Sequence, residues 1–349
     1  MLKEGPADPK IRGKMRSHAW KIIVSLGLAA LFLYFFFRGI DLQKTREAVL
    51  HASPGWVAAS LGLGVTTFLF RALRWIWILR PVARVRFYPA FRATAAGFAA
   101  NNLPGKVGEI LRPALLARSE KLPFPPLLAS VALERVFDGA AVVFFLLLAL
   151  WLKPSPQVSL GMIGLIPAAF LLVLVALAAF AVLRRRQTER FLELIWRRLP
   201  ASLQPRAQAF SSTFVDGLAS LKNPSLLLRI ILGSLAMWFV INLQIFSVMK
   251  AFHLDLPLSA AFVVTAAAVL GLAVPTPGGL GSYQTAVAET LKRAFGVGSA
   301  DAAGVAILAW LTSFVLITLI GLALLAFPPR RSVPKETRLE PERGAGGRT

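Results

Sequence analysis

Five ionisable residues stand where the surrounding sequence offers them little water. Glu109 closes, and Arg112 follows, a polar stretch, Asn101-Asn102-Leu103-Pro104-Gly105-Lys106-Val107-Gly108-Glu109, that interrupts apolar sequence. Glu134, Arg135 and Asp138 lie in the first turns of the next apolar run. At the centre of a membrane helix each would cost about 2.5–3.5 kcal/mol, so the five must pair with one another or face water. Glu134 and Asp138 are four residues apart and share a helix face. With Arg112 and Arg135 at hand, the set admits three kinds of chemistry. It could be an ion-pair network that only fixes the structure, a clamp in which Lys106, Arg112 and Arg135 hold a phosphate, or a proton-coupling device using Glu109 or Asp138. Asn101 and Asn102 can donate and accept hydrogen bonds, either to cap a broken helix or to meet a ligand.

The polar stretch has a companion 173 residues later. Pro104-Gly105-Lys106-Val107-Gly108 and Pro277-Gly278-Gly279-Leu280-Gly281 both read P-G-x-aliphatic-G, each directly after an apolar run. Pro104, Pro275 and Pro277 break helices, and Gly105, Gly108, Gly278, Gly279 and Gly281 permit close backbone approach. Irregular backbone at membrane depth is tolerated only where it is buried in protein or lines a cavity. Matched interruptions in two halves of a chain therefore point to a site between the halves.

Those breaks matter because the chain is built for a bilayer. Its 349 residues are 56% hydrophobic with a mean hydropathy of +0.65, against about 45–50% apolar in soluble domains. The formal charge of +22 falls on Lys and Arg that flank apolar spans, which makes an anionic lipid surface the expected partner. Nucleic acid is not expected, since neither a basic helix-turn-helix nor an aromatic RNA platform is readable. Without cysteine there is no disulfide or thiolate, and His18, His51 and His253 are too scattered for a metal site. No metal and no cofactor is expected. Ala100 to Val107 nearly spells a phosphate-binding loop, but Ala100 replaces its first Gly and Val107 its Ser/Thr. With no serine elbow or His-containing triad either, the chain does not read as an enzyme.

The elements that must position these residues follow from the apolar runs. A basic head, 1–21, precedes a first span over 22–37, too long and without the cleavage site of a signal peptide. A mixed-charge connection, 38–51, leads to a span over 56–79, with Trp75 and Trp77 at aromatic-belt depth. Then come the first broken segment, 87–121, spans over 127–152 and 161–183, and an Arg-rich amphipathic segment, 184–222, suited to the membrane surface. A span over 226–249, the second broken segment, 260–295, a last span over 302–327 and a disordered Pro/Arg/Gly tail, 328–349, complete the chain. If both broken segments return to the side they started from, 30 of the 39 Lys and Arg fall on one side and 7 on the other. That asymmetry favours six full spans plus two re-entrant hairpins, eight segments if each hairpin is counted, with both termini cytoplasmic. The units at about 56–152 and 226–327 would then form an inverted repeat within an all-α integral membrane domain, 22–327.

In Gly97, the Asn101–Glu109 stretch, Arg112, Ser130-Val131, Glu134-Arg135, Asp138 and Pro275–Gly281, the chain resembles a flippase-like membrane family. That family includes the transmembrane region of lysylphosphatidylglycerol synthases and many stand-alone members. The resemblance implies a bacterial inner-membrane protein that moves, or helps to move, a polar-headed lipid between leaflets. Asn101, Asn102, Lys106, Glu109, Arg112, Glu134, Arg135, Asp138 and Gln284 would line the head-group path. Gln284 stands where the family commonly has Glu, so a charged contact there does not carry over. The chain has no room for the synthases' aminoacyl-transferring domain. Two other readings remain open: a membrane-embedded transferase with Glu109, Glu134 or Asp138 as base, and a scaffold that recruits a separate lipid synthase through 184–222. Association with a second copy of the chain is a further expectation.

Overall fold

The computed structural model describes residues 9–38, 40–102, 107–153 and 219–326, with isolated positions between 155 and 208; for 9–22 it gives only the helical path. The expected span at 161–183, most of 184–222, the tail from 328 and the centre of the first break, Leu103 to Lys106, lie outside the described residues. Among the described residues every regular element is helical.

Helix α1 (Pro9–Phe37) begins well before the apolar run, because the Lys- and Arg-rich head is made of good helix formers. The mixed-charge connection is itself a helix, α2 (Leu42–Leu50), set at 86° to α1. Asp41 caps it, its carboxylate accepting the N–H groups of Gln43 and Lys44 at 3.1 Å each. The Lys44 N–H holds that carboxyl below its ordinary range.

Among the described residues four helices are long and apolar enough to cross a membrane: α3 (Pro54–Leu79), α6 (Phe124–Leu152), α7 (Pro224–Ala251) and the pair α10 (Ser299–Trp310) and α11 (Leu316–Ala326), joined by a π-turn at Leu311–Val315. Pro at the first turn of α3, α6 and α7 starts each helix without wasting an N–H. Between them stand two broken hairpins, α4 (Phe87–Asn101) with α5 (Gly108–Glu120), and α8 (Leu258–Ala273) with α9 (Ser282–Phe295). The polar stretch at 101–109 thus shortens to a break between Asn101 and Gly108, because Gly108 and Glu109 already belong to the second helix.

The most extensive helix contact is the antiparallel seam between α3 and α7. Ser53 donates its N–H to the Ala251 carbonyl at one end of the bundle (2.8 Å), and Ile78 packs in one cluster with Ile230 toward the other. Small residues let the backbones close up: a Cβ on Gly233 would stand 2.6 Å from the Trp77 ring, and one on Gly64 would stand 3.0 Å from the Gln244 amide. Around this seam the packing is reciprocal. α3 packs on α4 as α7 packs on α8, α4 on α11 as α8 on α6, and α5 on α6 as α9 on α10. Along the seam, Arg74 meets Ser234 while Gln244 meets Gly64. Positions 74 and 244 stand equally far into their helices, as do 64 and 234.

The chain turns gather at two ends. At one end lie the α3–α4 and α5–α6 turns, Asn223, and the end of α11, where the Arg92 Nε donates to the Leu324 carbonyl at 3.0 Å. At the other lie Ser53, Ala251 and the Ser155 hydroxyl, which donates to the Ala294 carbonyl at 2.5 Å.

Candidate functional site

The first hairpin is tightened by glycine. A Cβ on Gly97 would stand 2.6 Å from Cβ of Arg112, and one on Gly108 would collide with the Gly97 carbonyl and the Asn101 side chain. This close approach brings Arg112 in beside α3 and α6. Its guanidinium lies 3.7 Å over the Trp75 ring and forks onto Glu134, with Nη1 on Oε2 and Nη2 at 3.3 Å from Oε1. The Trp75 indole N–H donates to Ser130 Oγ at 2.8 Å. Trp75 is fully buried, so it anchors this cluster instead of sitting in an interfacial belt.

Arg74 forms the centre. Fully buried, it donates to Asp138 Oδ1 at 2.7 Å and to Ser234 Oγ at 3.1 Å, and its other nitrogen stands 3.6 Å from Glu134. From α7 the Trp238 indole N–H donates to the same Asp138 oxygen at 3.1 Å. The second oxygen, Oδ2, faces Arg135 at 3.5 Å and Arg71 at 3.8 Å without a hydrogen bond from either. Arg71 lies 4.6 Å over the Phe98 ring. Arg135 reaches outward to Glu109 at 3.7 Å, and these two side chains are 40% and 46% exposed.

Four arginines therefore face three carboxylates, and the nitrogen Nε of all four has no hydrogen-bond partner. In the buried part, charge is held by pairing; at the Arg135–Glu109 edge it is open. An arginine-rich set with spare N–H groups can take an additional oxyanion at that edge without rearranging its buried pairs. Nothing in it resembles a nucleophile with an adjacent base, and no group of acidic or histidine ligands able to hold a metal is present among the described residues.

The second break closes differently. Gly278, Gly279 and Gly281 have φ of 56°, 70° and 81°, which L-side chains avoid. Gln284 accepts the Gly281 N–H at 2.7 Å and is buried; it caps its own break and makes no hydrogen bond to the arginine cluster. α1 seals the outside, the Ser25 hydroxyl donating to the Pro275 carbonyl at 2.7 Å, and a Cβ on Gly281 would strike its backbone near Ala29 and Leu33.

The two breaks meet at Asn102. Its side chain is the nearest neighbour of Gly278, whose added Cβ would stand 3.3 Å from Oδ1, and its amide donates to Thr318 Oγ1 and to the Phe314 carbonyl (3.3 Å). From the same last helix the Trp310 indole N–H donates to the Gly278 carbonyl at 2.8 Å. Asn101, by contrast, packs its Oδ1 unpartnered against Gly108. Pro104, Gly105 and Lys106 lie outside the described residues.

Sequence reasoning missed Arg71, Arg74, Ser234 and Trp238. Arg71 and Arg74 read as flank charges, yet Ser60, Gly64, Thr67, Arg71, Arg74 and Ile78 recur every three or four residues, the signature of one inward face.

The helices and the buried charges define a multi-pass integral membrane protein with paired broken hairpins. The chain belongs to the family described as the lysylphosphatidylglycerol synthase TM region, whose sequence model matches residues 22–321. It is also similar to the UPF0104 membrane protein MJ1078 of Methanocaldococcus jannaschii, 26% identical over 244 residues, which cover 68% of this chain and 97% of the relative.

Proposed function

We propose that this protein is a lipid translocator, moving a polar-headed membrane lipid between leaflets through a crevice between two inverted units. The single observation that carries this reading is the meeting of the two broken hairpins at Asn102 and Gly278, alongside a charged cluster open at Arg135 and Glu109. Polar backbone and ionisable groups at membrane depth are expensive and mark substrate paths. The antiparallel α3–α7 seam and the reciprocal packing around it support the inverted arrangement, with six full spans, two re-entrant hairpins and the cation-rich end of the bundle toward the cytoplasm of a plasma membrane. In this reading Arg135, Glu109, Lys106 and the two asparagines receive the head group, backed by the buried Arg112 and Asp138, while the acyl tails stay in the bilayer. Glu134 and Gln284 hold the walls. No covalent chemistry on the lipid is involved.

The test is transbilayer exchange of leaflet-selectively labelled lipid in liposomes carrying the purified protein. Acceleration over protein-free liposomes for at least one of anionic, cationic or glycosylated lipids is expected. Equal rates for all three would overturn the proposal, and a covalently altered lipid on expression would favour a transferase instead.

A further inference from the structure

At the end of the α3–α7 seam that carries the α3–α4 and α5–α6 turns lies an open cleft of about 670 Å³, lined by Arg80, Pro81, Asn223, Ser225 and Arg229 among others. Arg80 closes α3 and Arg229 stands in the second turn of α7. Every arginine of the buried cluster has a carboxylate within 4 Å. The exposed side chains of Arg80 and Arg229 have neither an ion pair nor a hydrogen bond among the described residues, and no carboxylate is among the described residues that line the cleft.

The third ingredient is the start of α7, a helix of 28 residues. Asn223 caps it, its side chain accepting the Leu226 N–H at 3.0 Å and its carbonyl the Leu227 N–H at 2.8 Å. Ser225 brings a hydroxyl and an N–H that this cap does not use, at the positive end of the helix dipole. Two guanidinium forks and a helix start converge on one space, and together they fit an oxyanion with several acceptor oxygens. Inorganic phosphate presents four oxygens and a lipid phosphodiester two terminal and two ester oxygens, tetrahedrally arranged; a carboxylate presents two in one plane.

We propose that this cleft is a phosphate site at the membrane surface, separate from the buried cluster. Arg229 is five residues, roughly 7–8 Å of helix, from Ser234, the α7 partner of Arg74. The site's end of the bundle also carries Arg84, Arg86, Arg118 and Lys121, which places the cleft at the depth of lipid phosphates if that end faces the inner leaflet. The inference does not require that lipid cross the membrane. It holds a phosphate group where the seam meets the surface, and the geometry serves either a lipid head group or a soluble phosphate.

The experiment uses the full chain in detergent, with retained lipid counted by native mass spectrometry and thermal unfolding followed in parallel. The probes are phosphatidylglycerol, diacylglycerol with the same acyl chains, and inorganic phosphate; the variants are Arg80→Gln, Arg229→Gln, the double variant and Arg229→Lys. Wild type is expected to retain one more phosphatidylglycerol than the double variant, with affinity falling roughly tenfold for each Arg→Gln, partial recovery in Arg229→Lys, and no response to diacylglycerol. Protection by inorganic phosphate alone, lost in the double variant, would support the site and assign it to a soluble anion. Equal retention and equal thermal response in wild type and double variant would overturn it. Arg135→Gln separates the two sites, since it leaves this binding intact; wild-type protein that binds phosphatidylglycerol here and accelerates no lipid exchange would count against translocation and not against the cleft.

Discussion

Arg74 is where the charge balance of the cluster is decided, because it alone touches both Asp138 and Glu134 and reaches across the seam to Ser234. Removing one partner of a buried ion pair costs about 3–5 kcal/mol, since the other charge is left without compensation. Arg74→Met should therefore lower thermal stability in detergent by that order; a loss below about 1 kcal/mol would mean that the pair is solvated. Arg135 behaves in the opposite way. At 40% exposure its ion pairs are weak stabilisers, so Arg135→Gln should change stability by less than about 1 kcal/mol while slowing lipid exchange roughly tenfold. Unchanged exchange with a normally folded variant would reduce the open edge to a structural feature. Trp75→Phe keeps a ring over Arg112 and loses the N–H bond to Ser130; a loss of about 1 kcal/mol is expected in the same unfolding measurement.

At the scale of elements, the first hairpin depends on the near-contact of α4 and α5. Gly108→Ala forces a methyl into the Gly97 carbonyl and should sharply reduce the yield of folded protein, whereas Gly62→Ala, with nothing within 4 Å, should be neutral or stabilise by about 0.5–1 kcal/mol. Size-exclusion profiles of the two variants check this, and similar profiles would contradict it. The break between Asn101 and Gly108 was legible in the sequence, since a proline-glycine run cannot continue a helix, and so were all four long spans, since their apolar runs exceed what a soluble core uses. The face presented by α3 was not. Arginines near a span end satisfy the positive-flank pattern as readily as a buried pairing does, and only the partner helices distinguish the two. The π-turn at Leu311–Val315 was equally invisible; within it the Phe314 carbonyl accepts from Asn102 and Thr318. Gln284 read as a path residue through the family resemblance alone; the cap it makes on the positive-φ Gly281 is visible only in the folded chain.

For the molecule as a whole, the two units are matched in packing and unmatched in charge. Where the first places Arg74 on the seam, the second places the neutral Gln244, and the second break is sealed by α1 while the first hairpin exposes Val107, Glu109 and Ile110. In the inverted arrangement we propose, the two units offer one charged opening, not two equivalent ones. In the proposed arrangement the two hairpins enter from opposite faces of the membrane and meet at Asn102 and Gly278. The chain has no cysteine, so single cysteines can be placed at the hairpin roots without background. Lys121→Cys, in the α5–α6 turn, and His253→Cys, in the α7–α8 turn, should react with a membrane-impermeant thiol reagent from opposite sides of sealed, oriented vesicles. Labelling of both from the same side would contradict the account.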